Sequence, residues 1–208
     1  KSTLASTVNG CIMDGSGLAV DTYSGNVSLV NCRARNSYQP AEATGHTATH
    51  QYTRFEDIVS SSFSGTAAAE LVLDHCEFAR ISAGGLRVSG QKVRIKDCTV
   101  AASHRGLILD YAPLEATRSI FAGNVIDVEA NVAGASLASC CYETVTGYAV
   151  TNTVSGSLLS RYSGNPLFVD DSGSDLRLKS LASGYPADSG LLANVETDPG
   201  EYDMRESI

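Results

Sequence analysis

"KVRIKDCTV" occupies Lys92–Val100, and two other stretches follow its plan: "LVLDHCEF" at Leu71–Phe78 and "NVSLVNCRA" at Asn26–Ala34. Each sets two apolar residues two apart, then a mostly polar pair, a cysteine, and another small or apolar residue two beyond it. Residues two apart share one face of a strand. The polar pair breaks that alternation, so each stretch reads as strand, sharp bend, strand. Asn or Asp at the bend fits, because these residues tolerate a left-handed backbone.

The same template fits Ser6, Val8, Cys11 and Met13, then Leu114, Ala116, Ser119 and Phe121, then Ala135, Leu137, Cys140 and Tyr142. The anchors step by 21 (11 to 32), 44 (32 to 76), 22, 21 and 21 residues. The long step calls for one more unit. "TRFEDIVSS" supplies it, with Thr53, Phe55, Ile58 and Ser60 in the four places. A further short strand precedes several units, at 17–22, 84–89, 106–111 and 125–130. A fixed period of this size marks a solenoid. Three short strands in each coil of about 21–22 residues predict an all-β parallel β-helix, its coils about 4.8 Å apart. Stacking then predicts an inward column of Cys11, Cys32, Ile58, Cys76, Cys98, Ser119 and Cys140. Ile58 and Ser119 in that column favour buried thiols over disulfides. Cys141, beside Cys140, would face outward as the exposed thiol.

The rest of the chain bounds the function. Its 208 residues suffice for one good-sized core. Charged residues are 18%, Trp is absent, and the net charge is -8 with a pI near 4.9. Such a balance speaks against a nucleic-acid partner, which needs a basic face. No apolar run approaches the roughly 18 residues of a membrane span. The absence of a CxxC pair speaks against a zinc site. Residues 1–165 read as coils, with 36–52 as a loop insertion, and 166–208 as closing strands and a cap of the same domain. "KSTLASTVNG" has no apolar signal core and no capping helix. A partner, or a covering N-terminal segment outside this chain, is therefore expected over the open end; a homotrimer is a further assembly the sequence admits.

The stretch "GNPLFVDDSGSDLRLKSLASGYPADSG" (Gly164–Gly190) resembles the terminal signature of secreted right-handed parallel β-helix repeat proteins of the pectin-lyase-like superfamily. Pro166, Leu167, Phe168 and Asp170 carry its first part, Asp175–Leu178 its second, and Asp188 and Gly190 its third. The order within "SGYPADSG" departs from the usual turn. With the coil repeats, the resemblance spans nearly the whole chain. It implies a right-handed helix and an extracellular, cell-surface or virion location. It also implies a module that binds a polysaccharide or cell-surface glycan and, in lyase- or tailspike-like relatives, cleaves it. The alternative is a non-enzymatic shaft, such as part of a phage tail fibre or an adhesin.

Ligands of that superfamily lie along the first strand of each coil. Ala19, Arg87, Ile108 and Asp127 are the outward positions expected there. Arg87, His104 and Arg105 are the catalytic candidates for a lyase, which needs a cation on the uronate and a base for its C5 proton. Asp127, Asp110, Asp21 and Lys96 are the substrate-binding candidates. A hydrolase would instead pair carboxylates; Asp74, Glu77, Glu56 and Asp57 gather near His75 and Asp97, with Asp57, His75 and Asp97 stacked at the bend. No metal site is assigned and no cofactor is required. Calcium at Asp170, Asp171 and Asp175 is the one ion the sequence admits. "NVS" at Asn26 is a lone glycosylation sequon.

Overall fold

The computed structural model describes residues 4–15, 21–22, 25–36, 42–43, 46–59, 62–64, 70–82, 85–89, 92–110, 114–138, 140–142, 145–147, 151–152, 168–170 and 175–178. Among them there is no helix; every regular element is a strand. Eight strands form the first sheet: Leu4–Asn9, Gly25–Val30, Ala48–Gln51, Glu70–Asp74, Lys92–Lys96, Leu114–Thr117, Ala135–Ala138 and Thr151–Asn152. Seven form the second: Ile12–Asp14, Arg33–Arg35, Arg54–Glu56, Glu77–Ala79, Thr99–Ala101, Ile120–Ala122 and Cys141–Tyr142. Five form the third: Ser62–Ser64, Leu86–Ser89, Arg105–Leu109, Ile126–Ala130 and Val145–Gly147. Neighbours in each sheet are parallel and come from successive coils. This is a β-solenoid of about five turns.

Two corners per coil turn the chain from sheet to sheet, and both use left-handed backbone. Gly10, Asn31, Tyr52, His75, Asp97 and Arg118 hold the first corner, with φ between 47° and 66°. Gly15, Asn36, Asp57, Arg80, Ala102 and Gly123 hold the second, with φ between 51° and 71°. Each set steps by 21, 21, 23, 22 and 21 residues. The long step of the cysteine anchors therefore contains one ordinary coil.

That coil differs from the expected one. Its first strand is Ala48–Gln51, inside the expected loop insertion at 36–52, and it pairs with Gly25–Val30 below and Glu70–Asp74 above. Thr53, not Ile58, takes the place in the cysteine column: its Oγ1 accepts from Cys32 N at 3.4 Å. Ile58 follows the second corner instead, in the column of Ile81, Ser103 and Asn124.

Side chains stack in ladders inside the coils. Val8, Leu29, His50, Leu73, Ile95, Ala116 and Leu137 form one. Met13, Ala34, Phe55, Phe78, Val100, Phe121 and Tyr142 form another. The Phe55 and Phe78 rings lie stacked, centroids 5.0 Å apart, a contact worth about 0.5–1.5 kcal/mol beyond the area it buries.

The cysteine column is more than apolar filler. Cys98 Sγ donates to Lys96 O at 3.2 Å, and Ser119 Oγ donates to Thr117 O at 2.9 Å. The same atoms accept from the coil below: Cys76 N bonds Cys98 Sγ at 3.4 Å, and Cys98 N bonds Ser119 Oγ at 3.1 Å. The corner leaves a carbonyl two residues back and an amide in the coil below facing inward. A small side chain with one donor and one acceptor satisfies both. Cys32, Cys76, Cys98 and Cys140 are buried thiols, as expected, whereas Cys11, in the outermost described coil, is exposed. The Cys141 side chain lies outside the description.

Phe168–Asp170 and Asp175–Leu178 pair antiparallel. They carry Phe168 and Asp170 of the first part of the terminal signature and all of its second; Pro166, Leu167 and the third part, at 188–190, fall outside the described residues.

Candidate functional site

The third sheet gathers the charged residues expected at a site, in a register the sequence did not suggest. Arg87 lies opposite Ile108, and Ile108 opposite Glu129. The expected column of Arg87, Ile108 and Asp127 is therefore wrong by two residues at its upper end. Ile108 is fully buried rather than exposed, and Asp127 is buried too, with Oδ1 accepting from Asn124 Nδ2 at 3.1 Å. Asp127 is thus held within the fold and is not offered to a substrate. Ala19 falls outside the described residues, and so does the Asp21 side chain.

Around buried Ile108 runs a connected set of polar groups. Arg87 Nε meets Asp110 Oδ2 at 3.1 Å. Asn131 Nδ2 donates to Asp110 Oδ1 at 2.8 Å and to Glu129 Oε1 at 3.2 Å. Glu129 Oε2 meets Arg105 Nη1 at 3.1 Å. The set crosses three coils on one outer face. The sequence had named Arg87, Arg105 and Asp110; it missed Glu129 and Asn131. Glu129 lies two residues beyond Asp127 on the same strand face, so the alternation of "VIDVEA" was the available signal.

His104 does not join this set in the described contacts. It is exposed at the turn into the third sheet, and its carbonyl accepts from Val125 N at 3.1 Å. Arg87, His104 and Arg105 are therefore not one constellation; the two arginines belong to the ladder and the histidine to the corner beside it.

The second sheet carries a separate network. Glu56, nearly fully buried, accepts from Arg33, from Arg54 at 2.9 Å and from Arg80 at 3.2 Å. Burial works to raise its pKa, but Arg33 and Arg54 outweigh it and hold the carboxyl below its ordinary value. Asp57 is held low chiefly by its bond from Arg80, and Arg54 also bonds Glu77 at 2.7 Å. These carboxylates are spent on arginines across coils and do not form an open catalytic pair. Asp57 shares the second corner with Arg80, not the first with His75 and Asp97.

At the first corner, Asp74, His75 and Asp97 do converge, their ligand atoms within 4.8 Å of one another. Lys96, the remaining binding candidate, lies 3.9 Å from Asp74 and 3.6 Å from Asp97. Asp170 and Asp175 face each other across the antiparallel pair, but their carboxylates and Asp171 lie outside the description. The Asn26 carboxamide of the sequon is engaged, its Oδ1 accepting from Thr47 N at 3.1 Å. No described helix is long and apolar enough to cross a membrane.

No family model matches the chain, and comparison with curated proteins and with solved structures returned no match.

Proposed function

We propose that this β-solenoid binds a polysaccharide along the outer face of its third sheet, at a cell surface, on a virion or in the extracellular space. One observation carries the reading: the ladder Arg87–Asp110–Asn131–Glu129–Arg105, which crosses three coils on one face. A polymer rich in hydroxyls needs fixed donors and acceptors repeated along its length, and stacked coils supply them. Mutual pairing holds each guanidinium and carboxylate in place before ligand arrives, which lowers the ordering cost of binding. The resemblance of Gly164–Gly190 to the pectin-lyase-like terminal signature supports the same class of ligand.

The ladder also bears on cleavage. Asp110 and Glu129 accept from one amide nitrogen, at 2.8 and 3.2 Å. Their oxygens are therefore nearer than the roughly 6.5–9.5 Å of inverting glycosidases and compatible with the roughly 5–5.5 Å of retaining ones. A lyase would need Arg87 or Arg105 to release its carboxylate and hold a uronate instead. A second reading, a non-enzymatic adhesive shaft, is favoured by the fact that Arg87 and Arg105 already hold carboxylates.

The test is a panel of alginate, pectate, chondroitin, neutral and bacterial capsular glycans, with and without calcium. Binding is read first, then reducing ends and absorbance near 235 nm. Binding with reducing ends alone supports a hydrolase, and both signals support a lyase. Binding with neither supports the shaft. No binding to any glycan overturns the proposal.

A further inference from the structure

The first corner brings together three metal-ligating side chains that the ladder does not use. Asp74 ends one coil's first-sheet strand, His75 holds the corner that follows, and Asp97 holds the same corner of the next coil. His75 Nδ1 is 2.7 Å from Asp74 Oδ1, and His75 Nε2 is 3.4 Å from Asp97 Oδ2. The first of these contacts is short but lies off the line of a hydrogen bond: Asp74 Oδ1 is buried and accepts none. A buried carboxylate oxygen in that condition costs free energy unless something electropositive meets it.

The surroundings orient the three groups. Gln51 Nε2 donates to Asp74 Oδ2 at 3.2 Å, which leaves Oδ1 turned to the imidazole. The Tyr52 ring stacks on His75, centroids 4.9 Å apart and planes 20° apart, and fixes the ring plane. Arg118 bonds Asp97 at both oxygens, at 2.7 and 2.6 Å. Such outer partners set ligand orientation in metal sites. Lys96, half-exposed, hovers at 3.6–3.9 Å from both carboxylates, too far for a firm hydrogen bond.

We propose that Asp74, His75 and Asp97 form a site for a borderline divalent transition ion such as zinc, with solvent completing the coordination and Lys96 as the cation it displaces. Zinc takes one imidazole nitrogen and carboxylate oxygens at about 2.0–2.2 Å. The two carboxylates face opposite ring nitrogens, but one ligand atom from each of the three residues lies within 4.8 Å of the others, so side-chain rotation gathers them on one nitrogen. Calcium and magnesium take oxygen ligands, so the imidazole nitrogen favours a borderline ion over either. Because the ligands come from two coils, the ion staples one to the next and stabilises the folded state by mass action.

The position offers a clean variant. Asn31 occupies the same corner two coils away, with φ 52° against 55° at His75. His75→Asn therefore keeps the bend and removes the imidazole. The experiment titrates zinc chloride alone into the untagged protein, by calorimetry and by thermal melting, with magnesium as control. Wild type is expected to bind one zinc ion and melt higher with it. His75→Asn is expected to weaken binding by more than the roughly 10- to 100-fold that loss of an outer partner costs. Lys96→Ala is expected to bind more tightly than wild type. The proposal is overturned if wild type shows neither binding nor a melting shift, or if His75→Asn binds zinc as wild type does. It is equally overturned if magnesium acts as zinc does.

Discussion

Cys98 shows how one residue serves two coils. Its thiol meets the Lys96 carbonyl in its own coil and the Cys76 amide in the coil below. Ser119 does the same work with an oxygen. Cys98→Ser is therefore expected to change stability by less than about 1 kcal/mol, whereas Cys98→Ala strands a buried carbonyl and amide and costs about 1–3 kcal/mol. Urea unfolding of both variants checks this, and equal losses would contradict it. His50 carries the opposite lesson. It is fully buried in a ladder between Leu29 and Leu73. Burial pushes its pKa down from 6.5 to about 4. Above pH 6.5 both folded and unfolded states hold it neutral, and its contribution is fully present. As pH falls from 6.5 towards 4, the unfolded chain takes a proton that the folded chain refuses, so stability drops by up to about 3 kcal/mol. His50→Leu, which continues the aliphatic ladder, is expected to flatten that part of the stability–pH curve. An unchanged curve would show that burial of His50 is not its cause.

The element that matters is the corner, and each coil has two alike. That doubling explains what the sequence could and could not reveal. In six units, Val–x–Ile–x–x–Cys-like spacing at the first corner was strong enough to place columns, coil length and inward face. In the remaining unit the inward residues are Ala48, His50 and Thr53, which carry no aliphatic or cysteine signal. Phe55 and Ile58 flank the second corner at Asp57 with the same three-residue spacing that Ile95 and Cys98 show around Asp97. The template therefore settled on the wrong corner, five residues late. Three strands of the third sheet were legible, at 84–89, 106–111 and 125–130, but not their register, because Asp127 and Glu129 share one face and only pairing to the neighbour tells which meets Ile108. Ser62–Ser64 and Val145–Gly147 were not foreseen, and Asp21–Thr22, from the expected strand at 17–22, pairs with Glu42–Ala43 instead. Close stacking at that sheet makes a further prediction. Gly85 has φ +86°, and a Cβ there would lie 2.0 Å from the Arg105 carbonyl oxygen. Since that atom is backbone and cannot swing aside, Gly85→Ala is expected to cost at least about 2 kcal/mol. A thermal melt within a degree or two of wild type would refute the packing.

At the scale of the whole molecule, the thiols report on the coil stack. Burial holds the Cys98 thiol well above its ordinary value, with Cys76 reinforcing it, and lifts Cys140 to about 11. Native alkylation with peptide mapping is expected to modify Cys11 and spare Cys32, Cys76, Cys98 and Cys140 until denaturant is added. Rapid native labelling of any of those four would contradict the inward column. The proposed glycan binding rests on a different surface. The outer face of the third sheet presents Arg87 and Arg105 half-exposed, each locked to a carboxylate. The most direct measurement compares wild type with Arg87→Ala/Arg105→Ala on immobilised glycans at about 0.15 M salt, where exposed charges more than roughly 8 Å apart are largely screened. At least one glycan is expected to retain the wild type, the double variant to lose binding at least about tenfold, and both to melt alike. Equal retention of a folded double variant would place the binding surface elsewhere, and no retention of either would contradict glycan binding itself.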